Sequence, residues 1–202
     1  IGEDCTVTLQ NNGSTGCTIT GNTAAKHGGG VYVKGGTFKM SGSAVVTPAT
    51  GSEANDKGKN DVYLVTGQAI TVDDPLTPQG GIAARITVPN DNYQTGTKVL
   101  AGDKVGTEYT KFVVTPNGNK RWTVKSDGTL SNTLADIFAN ITKDQIEAEI
   151  GAANSAMVYT EGKTITNLIT TLQGKLILYM TGKYDYGIMH VTEVDNTTNS
   201  GK

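Results

Sequence analysis

The sequence is poor in aromatic residues, in charge and in cysteine. Among its 202 residues, aromatic residues make up 6% and charged residues 18%, and the formal net charge is −2. Because binding to phosphate backbones depends on clustered Lys and Arg, this composition argues against nucleic-acid recognition. No apolar run approaches the roughly 20 residues that a membrane helix needs, so we expect no membrane insertion. The start at Ile1 has neither an initiator Met nor a signal peptide, so we expect a piece cut from a longer protein.

Cysteine is limited to Cys5 and Cys17. Without a second pair, the two residues cannot supply the four ligands of a structural zinc site. Two interpretations remain open. The cysteines form a disulfide between neighbouring turns in an oxidising compartment, or they are two small core residues that point inward at equivalent strand positions.

Recognisable catalytic and metal-binding patterns are also missing from the sequence. His27 and His190 lie far apart, and no third ligand stands in register with them. Asp73 and Asp74 are adjacent, so strand alternation would point them to opposite sides instead of forming the carboxylate pair of a glycosidase. Arg85 could face outward beside Asp73. We therefore predict no catalytic residue, no metal and no cofactor in this chain, and leave open whether a longer protein is an enzyme.

Glycine, in contrast, is abundant. The chain has 26 glycines, about twice the usual share. Glycine permits sharp corners, and threonine, which is also frequent here, suits half-buried strands. The composition therefore predicts a mainly β fold built from many short strands.

Three short strand-like runs occur twice in the same order. The first copy has Val31–Val33, Thr37–Met40 and Ala44–Thr47, and the second has Val62–Leu64, Ala69–Val72 and Ala84–Thr87. The first two runs recur at offsets of 31 and 32 residues. The third recurs at an offset of 40 residues, which we attribute to a loop inserted at Pro75 to Gly81. Cys17–Thr20 and Cys5–Thr8 are similar to the third run. Three strands per repeat, each stacked on its equivalent in the next repeat, predict a parallel β-solenoid.

The segment ITGNTAAKHGGGVYVKGGTFKMSG, from Ile19 to Gly42, resembles the repeats of bacterial parallel β-helix surface proteins. Such adhesin-like repeats, similar in style to polymorphic outer-membrane proteins, have the elements GNTA, GGGVYV and GxFxM. The resemblance covers about a quarter of the chain closely and extends less closely to Asp103. It implies a right-handed β-helix on the bacterial cell surface or outside the cell, and it implies no catalytic residues.

The C-terminal part of the sequence departs from this repeat. Asn117-Gly118 between two alternating runs, Lys111–Val114 and Arg121–Val124, predicts a hairpin that caps the solenoid. Leu134–Ile150 has helical spacing, with a capping box at Thr142 and Gln145. Strands are expected at Ala156–Tyr159, Lys175–Met180 and Gly187–Val194. We therefore predict solenoid coils and cap at residues 1–132, a helical connector at 133–151, and a small β-rich module with a disordered tail at 152–202.

Three aromatic residues are the candidates for ligand contact. Tyr32 and Tyr63 occupy equivalent positions one repeat apart, so they should stack as a ladder on the outer face, unless the opposite strand phase places them in the core. Trp122, the single Trp, is either a lid over the end of the core or a platform for a sugar. The sequence favours a non-catalytic adhesion or spacer module whose partner is a host or cell-surface glycan or protein. The alternative is a carbohydrate-binding or polysaccharide-processing β-helix protein.

Overall fold

A computed structural model describes residues 1–11, 16–53, 55–118, 120–140, 176–181 and 185–190. The chain divides into two compact units, Ile1–Asn132 and Thr133–Lys202, and each is considered by itself. The predicted division between residues 151 and 152 falls outside the described residues.

The first unit is built from short strands. In chain order they are β1 (Thr6–Leu9), β2 (Thr18–Ile19), β3 (Val31–Val33), β4 (Thr37–Met40), β5 (Val45–Val46), β6 (Val62–Leu64), β7 (Ile70–Thr71), β8 (Ala84–Thr87), β9 (Leu100–Ala101), β10 (Phe112–Val114), β11 (Thr123–Val124) and β12 (Leu130–Ser131). Each is too short to bury a face alone, so neighbouring strands must supply both the hydrogen bonds and the packing.

Three parallel sheets contain most of these strands. Sheet A has the spatial order β1-β4-β7-β9, sheet B the order β3-β6-β8-β10, and sheet C pairs β2 with β5. From β1 to β7 the chain passes through the sheets in the recurring order A, C, B, and from β7 to β10 it alternates between sheets A and B. Between β7 and β8, Leu76 forms a parallel bridge with Gly42, just before β5, and the Ala83 carbonyl accepts a hydrogen bond from the backbone N–H of Val46 in β5 at 2.8 Å. The described residues therefore form a mainly β structure with parallel sheets, as the composition predicts.

The register of these sheets confirms the first two recurring runs. Val31 pairs with Val62, Tyr32 with Tyr63, and Phe38 with Ile70. The sequence pattern predicts these partners because equivalent side chains recur at nearly equal offsets.

Two other predicted equivalences are wrong. Ala84–Thr87 joins sheet B beside β6, and it does not pair as the equivalent of Ala44–Thr47. Ala83 already accepts a hydrogen bond from Val46 of β5, so the chain has passed beside sheet C before β8 begins at Ala84. Likewise, β1 pairs with β4 in sheet A, whereas β2 pairs with β5 in sheet C, so Cys5–Thr8 is not a copy of the third run.

Alternation along each strand separates inward from outward side chains. In β3, Val31 and Val33 are buried while Tyr32 between them is 41% exposed. In β4, Phe38 and Met40 are buried together, as their spacing of two residues predicts.

Register pairing then continues each buried column from strand to strand. One column of sheet B contains Val31, Val62, Ile86 and Val114, and one column of sheet A contains Phe38, Ile70 and Leu100. These side chains belong to one hydrophobic core. Each fully buried residue of this kind contributes about 1.5–3 kcal/mol to folding, so the core depends on the continuity of the columns.

The predicted hairpin joins the wrong strands. β10 pairs in parallel with β8, whereas β11 forms an antiparallel pair with β12 across the turn at Ser126 to Gly128. Asn117 and Lys120 do form a tight turn, and Gly118 adopts a positive φ of 58°. β10 pairs with β8 because this pairing satisfies the backbone groups at the edge of sheet B. A local hairpin between β10 and β11 would leave those groups of β8 unpaired.

Helical structure is short in the described residues. The α-helices are α1 (Val105–Glu108) and α2 (Leu134–Asn140), and 3-10 turns occur at Gly51–Glu53, Asn90–Asn92 and Tyr109–Lys111. No helix among the described residues is long and apolar enough to cross a membrane.

The second unit begins with α2, which Thr133 caps. The Thr133 hydroxyl accepts from the backbone N–H of Asp136 at 3.3 Å and donates to its carboxylate at 2.7 Å. Farther along, β13 (Leu176–Thr181) and β14 (Asp185–His190) form an antiparallel pair, close to two of the predicted strands. The capping box at Thr142 and Gln145, the rest of the helix to Ile150, and Ala156–Tyr159 lie outside the described residues.

Candidate contact site

Tyr32 and Tyr63 lie side by side on the outer face of sheet B. Their register pairing places the ring centroids 5.1 Å apart with an interplanar angle of 29°. The neighbours of Tyr63 in β6, Val62 and Leu64, belong to the hydrophobic core, so alternation turns the Tyr63 ring outward. The pair is therefore the predicted outward ladder.

A third ring, that of His27, completes the group. The imidazole stacks on Tyr63 with centroids 3.7 Å apart and planes 8° from parallel, and its centroid lies 5.7 Å from that of Tyr32. This last separation is well below the sum of the other two, so the rings form a compact triangle and not a column. We call His27, Tyr32 and Tyr63 the aromatic cluster.

Gly28 makes this arrangement possible. It has a φ of +71°, in the left-handed region that favours glycine. A Cβ at this position would lie 3.1 Å from Cδ2 of Tyr32 and 3.2 Å from Cβ of Tyr63, so a side chain would press against both tyrosines. In the sequence, the Gly run after His27 indicates a sharp corner, and His27 is a candidate only as a metal ligand. The contact between His27 and Tyr63 depends on the conformation of that corner, which the sequence does not specify.

The rings differ greatly in accessibility. Tyr32 is 41% exposed, whereas Tyr63 is only 7% exposed. Desolvation by burial, together with the nearby Tyr32 phenol, raises the pKa of Tyr63 above its ordinary value. Nδ1 of His27 is buried and has no hydrogen-bond partner among the described residues. The cluster thus presents one open ring, Tyr32, beside the half-buried ring of His27 and the buried ring of Tyr63.

Buried polar groups fix the turn that carries His27. The backbone N–H of Gly29 donates to Oδ1 of Asp61 at 2.8 Å, and that of Ala24 donates to the Gly58 carbonyl at 2.9 Å. Asp61 is fully buried, so this hydrogen bond replaces the hydration of Oδ1, while Oδ2 has no hydrogen-bond partner among the described residues. The turn is therefore anchored on both sides of His27.

Asn60 joins the same turn to sheet C. Its amide nitrogen donates to the carbonyls of Ile19 at 2.9 Å and Thr47 at 2.6 Å, and its Oδ1 lies 3.2 Å from the backbone nitrogen of Asn22. Asn60 adopts a φ of +51°, which asparagine tolerates better than most residues. This amide connects the Ile19–Asn22 segment with Thr47, which follows β5.

Arg85 lies on the same outer side of sheet B, the outward orientation that the sequence suggests, whereas Asp73 is paired with Lys39. Arg85 is 1% exposed, and its guanidinium donates to the carbonyls of Glu53 at 3.1 Å, Asp56 at 2.8 Å and Lys59 at 2.5 Å. Burial lowers the pKa of Arg85, an effect that the neighbouring carboxylates oppose. The side chain holds the 53–59 loop against the sheet.

Trp122 lies apart from the aromatic cluster. It is 7% exposed and packs against Tyr93, with ring centroids 5.7 Å apart and planes 55° apart. Burial also raises the pKa of the Tyr93 phenol. Because little of the indole is exposed, this placement favours the structural interpretation of Trp122 over a sugar platform.

Cys5 and Cys17 both carry free, exposed thiols in this structure. The alternative in which both point into the core at equivalent positions is therefore wrong, since Cys5 precedes a strand of sheet A and Cys17 one of sheet C. A disulfide between them stays a prediction.

Several acidic side chains are paired with lysines. These pairs are Lys39–Asp73 at 3.0 Å, Lys59–Glu53 at 2.7 Å, Lys111–Glu108 at 2.6 Å and Lys125–Asp127 at 3.3 Å. Within the described ranges, no group of three or more His, Cys, Asp or Glu residues is arranged to hold a metal ion.

The chain was also compared with known proteins. No protein-family model, no curated protein and no solved structure matches it. Arguments about its function therefore rest on its own residues.

Proposed function

We propose that Ile1–Asn132 is the end of a right-handed parallel β-helix and serves as a non-catalytic adhesion or spacer module on a bacterial cell surface. The observation that carries this proposal is the recurring order A, C, B in which the chain passes through the sheets from β1 to β7. Parallel pairing between successive passes supports it as well. The GNTA and GGGVYV motifs supply the family resemblance.

A stack of this kind suits a spacer because its length grows with each added pass while its cross-section stays constant. Each pass contacts its neighbours, so stiffness along the stack comes from the sum of the interfaces between passes. Outward side chains are then available for contact without disturbing the core. The aromatic cluster is the part of that outer surface best suited to contact a partner, either a glycan or a protein.

The position of the acidic residues favours contact over catalysis. Asp73 and Glu108 are each paired with a lysine, and Asp61 accepts a hydrogen bond from a backbone N–H. Such carboxylates neutralise or anchor neighbouring groups. Glycoside hydrolysis would instead require two carboxylates facing one glycosidic bond.

Surface labelling tests this proposal. Antibodies raised against residues 1–132 should label intact cells of the organism that produces the protein, and protease added outside the cells should remove the label. An antibody against an abundant cytoplasmic protein provides the control for cell integrity. Labelling that appears only after the cells are opened would overturn the proposed location and with it the adhesion or spacer function.

A further inference from the structure

We propose that the aromatic cluster binds one neutral sugar ring, with Tyr32 as the stacking surface and His27 as a second contact residue. This inference deepens the proposed contact function by naming its ligand class. It rests on three features of the site: its size, its chemistry and its rigidity.

The size of the cluster favours a sugar over a protein partner. The farthest ring centroids, those of His27 and Tyr32, are 5.7 Å apart, about the width of a single pyranose ring. A stable protein interface buries roughly 800 Å² on each partner. Tyr32 presents the open aromatic ring of the cluster, because Tyr63 is 7% exposed. A patch this small can hold one ring-shaped ligand.

The chemistry of the cluster also matches a sugar. A pyranose has an apolar C–H face and a rim of hydroxyl groups, so it needs a flat aromatic surface beside hydrogen-bonding groups. The Tyr32 ring provides the surface, and the Tyr32 phenol and Nε2 of His27 provide hydrogen-bonding groups, since Nδ1 of His27 is buried. The His27 and Tyr32 planes are inclined by 34°, so the two rings form adjoining walls for a ligand.

A neutral ligand fits better than an acidic one. Recognition of a carboxylate or sulfate normally uses a guanidinium that is free to make two parallel hydrogen bonds. Arg85, on the outer side of the same sheet, already donates to three backbone carbonyls. It is also almost fully buried. Arg85 is thus not free to bind an acidic ligand in this way.

The cluster is fixed before any ligand arrives. Gly28 brings the His27 turn against both tyrosines, and Asp61 holds the adjacent Gly29 by a 2.8 Å hydrogen bond. A site formed in advance loses less conformational entropy on binding, which matters for a ligand with few contacts. We therefore expect weak but specific binding, with Kd on the order of 1 mM for one sugar residue.

The test uses the whole chain and defined probes. Methyl glycosides of glucose, mannose, galactose and N-acetylglucosamine are titrated to about 10 mM, well above the expected Kd, and the Tyr32 and His27 ring signals are followed by NMR. At least one neutral probe should shift both sets of signals. The methyl glycoside of glucuronic acid, an acidic probe, should bind more weakly than its neutral glucose counterpart.

Variants connect the binding to the cluster. Tyr32→Ala should weaken binding about 10-fold or more, whereas Tyr32→Phe should retain most of it because the ring remains. His27→Ala should weaken binding to a smaller extent. Val7→Ala is the matched control, since Val7 is also 41% exposed but lies in sheet A. Circular dichroism establishes that each variant is folded.

Several results would overturn the inference. These are the absence of binding by every neutral probe, unchanged binding by Tyr32→Ala, preference for the acidic probe, or a protein as the sole ligand of this surface. If surface labelling succeeds while no sugar binds, the sugar site is wrong and the spacer function stands. If the protein is intracellular yet binds a neutral sugar through Tyr32, the proposed location is wrong and the sugar site stands.

Discussion

The guanidinium of Arg85 donates a 2.8 Å hydrogen bond to the backbone carbonyl of Asp56, which lies on a separate loop over the outer face of sheet B. The same group reaches the carbonyls of Glu53 and Lys59. A buried cation in contact with several carbonyl oxygens organises a loop much as a bound metal ion would. The Lys59–Glu53 ion pair within the loop and the hydrogen bond from Lys57 to Asn90 also hold it, but both are more exposed than Arg85, so we expect Arg85 to contribute most to the order of the loop.

Arg85→Met should therefore detach this loop. Methionine retains much of the side-chain volume but leaves three carbonyls without their donors, and we expect a loss of about 3 kcal/mol in the free energy of unfolding. Urea denaturation measures the loss, and limited proteolysis should show new cleavage between residues 53 and 59. Lys39→Met is the control, because it removes an exposed ion pair that should contribute less than about 1 kcal/mol. Equal stability of the two variants would show that Arg85 does not hold the loop.

The sequence predicted the register of β3 with β6 because both strands carry the same pattern, in which apolar side chains flank a tyrosine. The alternation of Val31, Tyr32 and Val33 determines which side chains point inward. Stacking in register is then the arrangement that continues the core. In β3 and β6, the alternation of apolar and aromatic residues and the repeat offset of 31 residues predict the same register. The mainly β class and the outward position of Tyr32 and Tyr63 could therefore be predicted.

The position of Ala84–Thr87 could not be predicted in the same way. Arg85 lies inside this strand, whereas the residues in register with it, Asp61 and Gly30, come just before β6 and β3. The partners of the strand depend on where the chain passes sheet C, and only the Leu76–Gly42 bridge and the hydrogen bond from Val46 to Ala83 mark that position. Long-range backbone pairing decided the outcome, and local propensity carries little information about it.

His27 was missed for a similar reason. Its contact with Tyr63 depends on the positive φ of Gly28 and on the hydrogen bond from Gly29 to Asp61. These features connect positions that are far apart in the sequence. The Gly run predicted a corner, but it gave no indication of the side chain that the corner would place on the tyrosines.

Gly29→Ala should be strongly destabilising. A Cβ on Gly29 would lie 2.2 Å from the Gly58 carbonyl oxygen and 2.9 Å from the backbone nitrogen of Asn60. Both neighbours are backbone, so the clash requires the two segments to separate, and we expect a loss of about 3 kcal/mol. The midpoint of thermal unfolding should fall accordingly. Gly2→Ala is the matched control, since a Cβ there meets no atom within 4 Å. A similar midpoint for both variants would contradict the close approach of Gly29 and Gly58.

Thr87 and Thr115 share a buried hydrogen bond between their hydroxyl groups, at 2.7 Å. Thr87→Val preserves the shape but leaves the Thr115 hydroxyl without this partner, so we expect a loss of about 1–2 kcal/mol. The reciprocal Thr115→Val should have a similar effect. The double variant removes both polar groups and should be less destabilised than the sum of the single variants. A double-mutant cycle from urea denaturation measures the difference, and strict additivity would argue against the pair.

Glu108→Gln should change the dependence of stability on pH. Burial alone would raise the pKa of Glu108, but hydrogen bonds from Lys111 and from the backbone N–H of Leu76 outweigh it and hold the pKa below its ordinary value. The folded state therefore binds protons less readily than the unfolded state. This stabilisation is complete above the ordinary Glu pKa of about 4.3 and is lost as the pH falls through the lower folded value.

Unfolding curves recorded from neutral to acidic pH test this expectation. The wild type should exceed Glu108→Gln in stability at pH 7 by about 1–2 kcal/mol, and the difference should shrink once the pH falls below the ordinary Glu pKa. The exposed Asp73, paired with Lys39, offers Asp73→Asn as a control with a smaller difference at pH 7. A difference between wild type and Glu108→Gln that is independent of pH would exclude ionised Glu108 as its source.

His27→Ala should lower the pKa of Tyr63. In the intact cluster the imidazole covers one face of the Tyr63 ring at 3.7 Å, and burial raises the pKa of the phenol above its ordinary value, an effect to which Tyr32 adds. Removing the imidazole admits water to that face, so ionisation becomes easier. Ultraviolet absorbance of tyrosinate, recorded during an alkaline titration, measures the shift, with Tyr63→Phe identifying the step that belongs to Tyr63. Persistence of the raised pKa in folded His27→Ala would mean that His27 does not cover this ring in solution.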